Sequence, residues 1–306
     1  MIGAIIGDIV GSRFERANCK STKFELFTKR CSFTDDTVMT LAIAKALLES
    51  DNDWSRLREN AVKCMQEIGR RYPNCGYGQM FYLWLHKRTP KPYNSFGNGA
   101  AMRVSPVAYV AETIEQCIKL SDIVTGVSHN HPEGLKGAQA AAVATWAALQ
   151  EMPKQEIREL IEDRFYDLNF TIDEIRPKYR FDASCQGSVP QAIKAFLESD
   201  DFESAIRLAV SIGGDSDTIA AIAGGIAEAY YGIPEHIKMQ AIKYLTEDLR
   251  DIMVEFEVAY LCCNAGETPG QLYLGTVHER RYGSRSNPQP QHGHSPGQYQ
   301  PGDGTG

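Results

Sequence analysis

Two short acidic segments carry the residue types that are best suited to chemistry in this chain. Thr34-Asp35-Asp36-Thr37 and Asp215-Ser216-Asp217-Thr218 each place two carboxylates beside hydroxyls, and each leads into an apolar, helix-like run. Carboxylate and hydroxyl oxygens are hard ligands, which suit Mg²⁺, Mn²⁺ or Ca²⁺. The segments are about 180 residues apart, so they can hold one metal ion or a pair only if the fold brings them together.

Helix capping is the alternative interpretation of these segments. Thr and Asp side chains accept hydrogen bonds from the free amides of a first helical turn, and a carboxylate favours the positive end of the helix. For either segment alone, capping is a sufficient explanation. A cap needs only one residue, however, and adjacent carboxylates repel each other unless a cation or protons compensate. The presence of both segments therefore favours a metal site.

A second group of candidate residues consists of a glycine-flanked loop and a histidine pair. Gly97-Asn98-Gly99 precedes a helix-like run that contains Met102, and it offers backbone amides and a side-chain amide to an anion or a sugar oxygen. A tight turn explains these glycines equally well. His129 and His131 are two positions apart and do not share a helix face. One of them can reach a ligand while the other packs or caps.

Composition limits the classes of function. The chain has 306 residues, 43% of them hydrophobic, with a formal charge of −7. The charge and the absence of a long basic run argue against binding to nucleic acid. Eight cysteines form no CxxC pair, which predicts free thiols in a reducing compartment. Asp8 interrupts the apolar N-terminal run after seven positions, so neither a signal peptide nor a membrane span is expected, and a cytoplasmic protein is predicted.

The elements that must position these residues are mainly helices. Apolar residues recur at helical spacing after both acidic segments, and alternating strand patterns are scarce. Gly3, Gly7 and Gly11 lie on one face of a predicted N-terminal helix, which lets another backbone approach closely. We predict an all-α, single-domain, compact multi-helix bundle. Further helices are expected near 54–71, 101–111, 113–127, 134–150, 154–166, 188–198, 202–211 and 235–256.

The C-terminal part is expected to lie outside this bundle. The predicted domain covers residues 1–265, and an extension over 266–283 contains a possible short edge strand at Leu272-Tyr273-Leu274. Residues 284–306 are rich in Gly, Pro, Gln and Ser and contain no aliphatic residue. Such a segment cannot bury enough apolar area to offset its ordering entropy, so it is predicted to be disordered.

Four segments together resemble the ADP-ribosylglycohydrolase family, which includes the dinitrogenase-reductase-activating enzymes. They occur in the family's order and span roughly residues 1–232: Gly7-Asp8-Ile9-Val10-Gly11-Ser12-Arg13-Phe14-Glu15, Phe33-Thr34-Asp35-Asp36-Thr37, Gly97-Asn98-Gly99-Ala100-Ala101-Met102-Arg103 and Gly213-Gly214-Asp215-Ser216-Asp217-Thr218. Each segment is short, but the set of four in order is specific. The resemblance implies a compact all-α fold with two divalent cations, normally Mg²⁺ and in some members Mn²⁺.

The resemblance also implies roles for individual residues. The implied metal ligands are Thr34, Asp35, Asp36, Asp215, Asp217 and Thr218. Glu15 would be the catalytic or substrate-gating acid, with Asp35 and Asp36 as the other candidate catalytic acids. Gly97, Asn98, Gly99, Met102 and His129 would line an ADP-ribose pocket, in which loop amides bind the pyrophosphate.

The expected function is therefore metal-dependent hydrolysis of the bond between ADP-ribose and a modified protein side chain. Arginine is the preferred acceptor, while serine-linked ADP-ribose and small ADP-ribose esters remain open. The expected partner is an ADP-ribosylated protein or a small ADP-ribosyl substrate, with no nucleic acid and no membrane. Two alternatives are a hydrolase of another nucleotide-glycosyl bond and a non-catalytic ADP-ribose-binding protein on the same fold. The oligomeric state cannot be derived from these residues.

Overall fold

A computed structural model describes residues 1–262, and over that range the regular structure is helical, without a β-strand. The fourteen α-helices of these residues are α1 (Ile2–Gly11), α2 (Asp35–Ser50), α3 (Leu57–Arg71), α4 (Gln79–His86), α5 (Ser105–Val110), α6 (Ile114–Thr125), α7 (Pro132–Leu149), α8 (Lys154–Arg164), α9 (Ile172–Ile175), α10 (Cys185–Glu198), α11 (Phe202–Ser211), α12 (Ser216–Tyr231), α13 (Glu235–Ala241) and α14 (Glu247–Glu257). The predicted all-α, single-domain fold is confirmed. Within the described range, no helix combines the length and apolar character needed to cross a membrane.

Glycine-mediated packing between α1 and α12 forms the centre of the bundle. A Cβ atom added to Gly3 would lie 2.1 Å from the carbonyl oxygen of Gly224, and one added to Gly7 would lie 2.0 Å from that of Ala220. A Cβ at Gly11 would lie 2.5 Å from the carbonyl oxygen of Ser216. Contacts this short leave room only for hydrogen atoms, so the two backbones touch, as the glycine spacing predicts. Because the contacts run in opposite directions along the two helices, α1 and α12 are antiparallel.

This packing sets the position of the two acidic segments. The C-terminal half of α1 lies beside the first turn of α12, and α2 begins at Asp35, so both acidic segments lie at helix starts as predicted. Gly213 and Gly214, with φ of +73° and +74°, form the turn that leads into α12. Both angles lie in the left-handed region, where a side chain would be strained. The double glycine therefore permits the sharp entry that places Asp215 and Asp217 at the start of the helix.

Two of the predicted helices differ from the observed ones. The expected helix at 235–256 is divided into α13 and α14, because Leu245 has extended backbone and Thr246 begins a new helix. The expected helix at 101–111 shortens to α5, since a 3₁₀ turn at Asn98–Ala100 and a turn through Arg103 precede it. The extension at 266–283 and the tail at 284–306 lie outside the described residues, so both remain predictions.

Candidate active site

One cavity of about 520 Å³ collects the candidate residues from all four sequence segments. Every residue that the sequence analysis nominated for catalysis, metal binding or substrate binding lies in its wall. These residues are Glu15, Thr34, Asp35, Asp36, Gly97, Asn98, Gly99, Met102, His129, Asp215, Asp217 and Thr218. The volume lies within the range of small-molecule sites, which span about 300–1,000 Å³. The location of these residues is thus established, while their individual roles remain predictions.

Three buried carboxylates meet beside this cavity, and two of them, Asp36 and Asp217, lie in its wall. One oxygen from each of Asp8, Asp36 and Asp217 lies within 4.8 Å of the others. The three come from α1, α2 and α12, and their residues are 0%, 3% and 5% exposed. Negative charges so close together in a site of low polarity repel strongly. The arrangement is stable only with protons or a cation between the carboxylates.

The hydrogen bonds at α2 show that capping and clustering coexist. Thr34 caps the helix, because its Oγ1 accepts from the amide of Asp36 at 3.3 Å. The same hydroxyl donates to Oδ1 of Asp8 at 2.7 Å, and the amide of Thr34 donates to Oδ2 of Asp8 at 2.9 Å. Thr37 adds donors from its amide and its hydroxyl to Oδ2 of Asp8. Asp8 therefore ties the start of α2 to α1.

The carboxylate of Asp36 retains an oxygen that the protein does not satisfy. Its Oδ2 accepts from the hydroxyl of Thr218 at 3.2 Å, but Oδ1 is buried with no hydrogen-bond partner among the described residues. A buried carboxylate oxygen without a partner is costly. The donor set around it consists of carboxylate and hydroxyl oxygens, which are the ligands of hard divalent cations. These residues therefore fit a bound cation of the Mg²⁺ or Mn²⁺ type.

The electrostatics of the cluster agree with this fit. Burial raises the pKa of Asp8 to about 6, with the threonine hydrogen bonds acting in the opposite direction. Burial and then the charge of Asp8 raise the pKa of Asp35 to about 8. Burial, followed by neighbouring carboxylates, raises the pKa values of Asp36 and Asp217 well above their usual range. In the absence of a cation, this cluster therefore holds protons at neutral pH.

The loop at 97–99 joins the acidic side of the cavity directly. The side-chain amide of Asn98 donates to Oδ2 of Asp215 at 2.6 Å. Asp215 begins α12 without capping it through its side chain, which leaves its carboxylate able to accept from the loop. The backbone of the loop is held from outside, because the amide of Asn98 donates to the carbonyl of Ala183 at 2.8 Å. Asn98 thus links the predicted substrate loop to the second acidic segment.

Two further carboxylates in the wall have fewer constraints. Glu15 follows α1, is partly exposed, and has a pKa that burial and the charge of Asp215 raise. Asp35 is also partly exposed, and only its backbone amide is engaged, with the carbonyl of Cys75 at 2.7 Å. No side-chain hydrogen bond of either carboxylate occurs within residues 1–262. Both are therefore free to act on a ligand in the cavity.

Sequence reasoning missed two residues of this site. Asp8 interrupts an apolar run and belongs to the first family-like segment, but it received no role, although an acid in a buried, glycine-lined helix is itself a signal of a special role. Arg103 was part of the family-like segment but received no role. It is completely buried and lies in the cavity wall. Its sequence context, a turn after a loop, gives no sign of this burial.

Comparisons with known proteins place the chain in a class. The sequence profile of the family described as ADP-ribosylglycohydrolase matches residues 1–264. ADP-ribosylhydrolase ARH3 of Homo sapiens is 24% identical over 331 residues, which cover 81% of this chain and 90% of that protein. ADP-ribosylarginine hydrolase Tri1 of Pseudomonas putida is 26% identical over 291 residues, covering 82% of this chain and 76% of its own.

A solved structure shares the fold of this chain. A chain titled ADP-ribosylglycohydrolase-related protein complex aligns with a TM-score of 0.59 and 23% identity, over 83% of this chain and 94% of its own. This similarity concerns the fold. The chain belongs to the ADP-ribosylglycohydrolase family, as its sequence motifs indicate.

Proposed function

We propose that this protein is a metal-dependent hydrolase that releases ADP-ribose from a modified protein side chain, with arginine as the preferred acceptor. One observation carries the proposal: the wall of a single cavity combines buried carboxylates with the glycine-flanked loop at 97–99. The carboxylates suit cations that bind ribose hydroxyls or water. The loop suits an anionic or sugar oxygen, and such a division matches a ligand with both a ribose and a diphosphate.

Two divalent cations, Mg²⁺ in preference to Mn²⁺, are the proposed cofactors. Asp36 and Asp217 would hold them, with Asp35, Asp215 and the threonine hydroxyls completing the sites. Bound there, such cations supply charge stabilisation and an acidified water. Asp8 is proposed to orient the start of α2, since its oxygens already accept bonds from Thr34 and Thr37.

The proton transfers are assigned to the two less constrained carboxyls. Cleavage of a glycosidic bond passes through an oxocarbenium-like transition state, in which a carboxyl group protonates the leaving atom or activates water. A carboxyl with a raised pKa is suited to this work near neutral pH. Glu15 has such a pKa, lies in the cavity wall and is partly exposed. We assign this proton transfer to the carboxyl group of Glu15, with Asp35 as the second candidate.

Two exposed apolar side chains of the cavity wall are candidates for contact with the acceptor protein. They are Met80 and Phe181, and each is 55% exposed. Exposed apolar side chains beside a charged cavity are suited to contact a protein surface. The preference for arginine rests on the name of the Pseudomonas putida relative, an ADP-ribosylarginine hydrolase. Serine-linked and ester-linked ADP-ribose are the competing substrates.

The test measures release of free ADP-ribose from arginine-, serine- and ester-linked substrates, with Mg²⁺ or with EDTA. We expect Mg²⁺-dependent release that is fastest from the arginine linkage. Asp36→Asn should weaken Mg²⁺ binding at least about tenfold and reduce turnover with it, whereas Asp251→Asn, at an exposed position on α14, should change neither. Full release in EDTA contradicts the metal requirement. Absence of release from all three substrates, in protein that binds ADP-ribose, contradicts the hydrolase.

A further inference from the structure

Arg103 is a buried cation without a counter-ion. It is 0% exposed, and within the described residues no carboxylate lies within 4.0 Å of its guanidinium. Its Nε and Nη1 are buried without a hydrogen-bond partner there, and its guanidinium carbon lies 5.4 Å from the ring centre of Phe81. An unpaired buried charge is costly, and a cation–π contact offsets only part of that cost. The position therefore requires a reason other than stability.

Arg103 is connected to His129 through one hydroxyl. Nη2 of Arg103 donates to Oγ of Ser128 at 2.8 Å, and the same Oγ lies 2.9 Å from Nδ1 of His129. Ser128 is completely buried, and its hydroxyl makes no other hydrogen bond in the described part of the chain. The three side chains form a single relay that ends in the cavity wall.

The donors and acceptors of this relay determine the tautomer of His129. An arginine can only donate, so Ser128 Oγ must accept from Arg103. The hydroxyl hydrogen of Ser128 then has one acceptor within reach, which is Nδ1 of His129. If Nδ1 carried a hydrogen instead, the buried hydroxyl hydrogen would have no partner, at a substantial cost. Nδ1 is therefore the acceptor, and the imidazole hydrogen resides on Nε2.

The other ring nitrogen faces the space above the glycine loop. A Cβ atom added to Gly99 would lie 3.4 Å from Nε2 of His129, and one added to Gly97 would lie 3.8 Å from it. These two glycines therefore keep the approach to Nε2 clear of side chains. Nε2 makes no hydrogen bond with any of the described residues. Burial and the nearby charge of Arg103 lower the pKa of His129 well below its usual value, so the ring is neutral.

We propose that Arg103 and Ser128 are positioning residues that hold His129 as the neutral Nε2–H tautomer, so that the ring donates a hydrogen bond to an oxygen of the bound ligand. This inference rests on the proposed function for the identity of that ligand, ADP-ribose, in which the diphosphate and ribose oxygens are the acceptors. The relay also places a fixed positive charge behind the loop, in a cavity whose other charged wall residues are acids.

The tautomer can be measured without any ligand. In protein with ¹⁵N-labelled histidine, NMR should show His129 protonated on Nε2 alone at neutral pH. Ser128→Ala should mix the tautomers or move the hydrogen to Nδ1, while the Mg²⁺ affinity of the folded protein remains close to that of the native protein. A native ring protonated on Nδ1, or a Ser128→Ala ring unchanged from the native one, overturns the relay.

Substitution at position 129 tests the contact with the ligand. The amide nitrogen of Gln can occupy the place of Nε2, whereas that of Asn reaches only the place of Nδ1. We expect His129→Gln to keep calorimetric affinity for ADP-ribose within about threefold, and His129→Asn and Ser128→Ala each to lose about tenfold. Equal losses in both position-129 variants overturn the donor role. If the native protein binds no ADP-ribose, the proposed function fails, while the NMR measurement still decides the relay.

Discussion

Removal of divalent cations should make the stability of this protein fall as the pH rises from about 6 to about 8. The cause is the carboxylate cluster, in which burial and mutual repulsion raise the pKa of Asp35 to about 8 and burial raises that of Asp8 to about 6. In the unfolded chain both groups ionise near their ordinary pKa of about 4. The folded state therefore holds protons that the unfolded state has lost, and the stability that they contribute disappears as the pH passes the folded pKa values.

The size of this effect follows from the two pKa values. At 1.36 kcal/mol per pH unit and per proton, Asp35 contributes about 2 kcal/mol between pH 6 and pH 8, and Asp8 contributes well under about 1 kcal/mol. The free energy of unfolding in EDTA should thus fall by about 2 kcal/mol or more over this interval, since Asp36 and Asp217 also have raised pKa values. For a chain of this size, that corresponds to a decrease in melting temperature of roughly 5 °C or more. Saturating Mg²⁺ should abolish the decrease, because the cation replaces the protons.

The assay is urea unfolding at the two pH values, in EDTA and in Mg²⁺. Asp35→Asn removes the contribution of this carboxyl, so its stability in EDTA should depend less on pH over this range than that of the native protein. Asp251→Asn, on the exposed side of α14, should keep the native dependence. Native protein in EDTA that is as stable at pH 8 as at pH 6 refutes the reasoning, and so does an Asp35→Asn variant with the full native dependence.

Two further substitutions test the packing and the proton transfer. Gly7→Ala should lower the free energy of unfolding by about 3 kcal/mol or more, because its Cβ would lie 2.0 Å from the carbonyl oxygen of Ala220. In the control Gly78→Ala, nothing lies within 4 Å of the added Cβ. Its free energy of unfolding in urea should stay within about 0.5 kcal/mol of the native value. Glu15→Gln should lower kcat for ADP-ribose release by about 100-fold or more with Mg²⁺ affinity unchanged, whereas the exposed control Glu59→Gln should keep full turnover; equal kcat in the two variants contradicts the assignment of Glu15.

The features that the sequence predicted correctly are those with a local physical signature. Helical periodicity follows both acidic segments, and Thr34 caps α2 as its residue type and position suggest. The i, i+4, i+8 glycines of α1 have a meaning that hardly depends on context, since three missing side chains on one helix face nearly always permit a close neighbour. The sequence could also nominate residues of the cavity, because all of the nominated ones except His129 belong to short segments that match the family's pattern.

The features that could not be predicted from the sequence depend on which helices pack together. Asp8 joins the acidic cluster only because α1 runs antiparallel to α12, and no local pattern encodes that direction. The sequence also did not predict the division of the helix at 235–256, because the break occurs at Leu245 and Thr246, where no glycine or proline marks it. Arginine is rarely buried without a partner, so Arg103 would be assigned to the surface until tertiary packing is known.

Acidic and basic side chains are buried in one cavity, yet no ion pair joins them among residues 1–262, and this separates the requirements of the site from those of the fold. If stability alone governed this cavity, Arg103 would pair with one of the aspartates, and such pairing would lower the pKa values that are instead raised. The carboxylates remain together and the guanidinium donates to Ser128. The cavity thus keeps a negative side suited to cations and a positive side suited to an anionic oxygen, and its charges are balanced by what it binds.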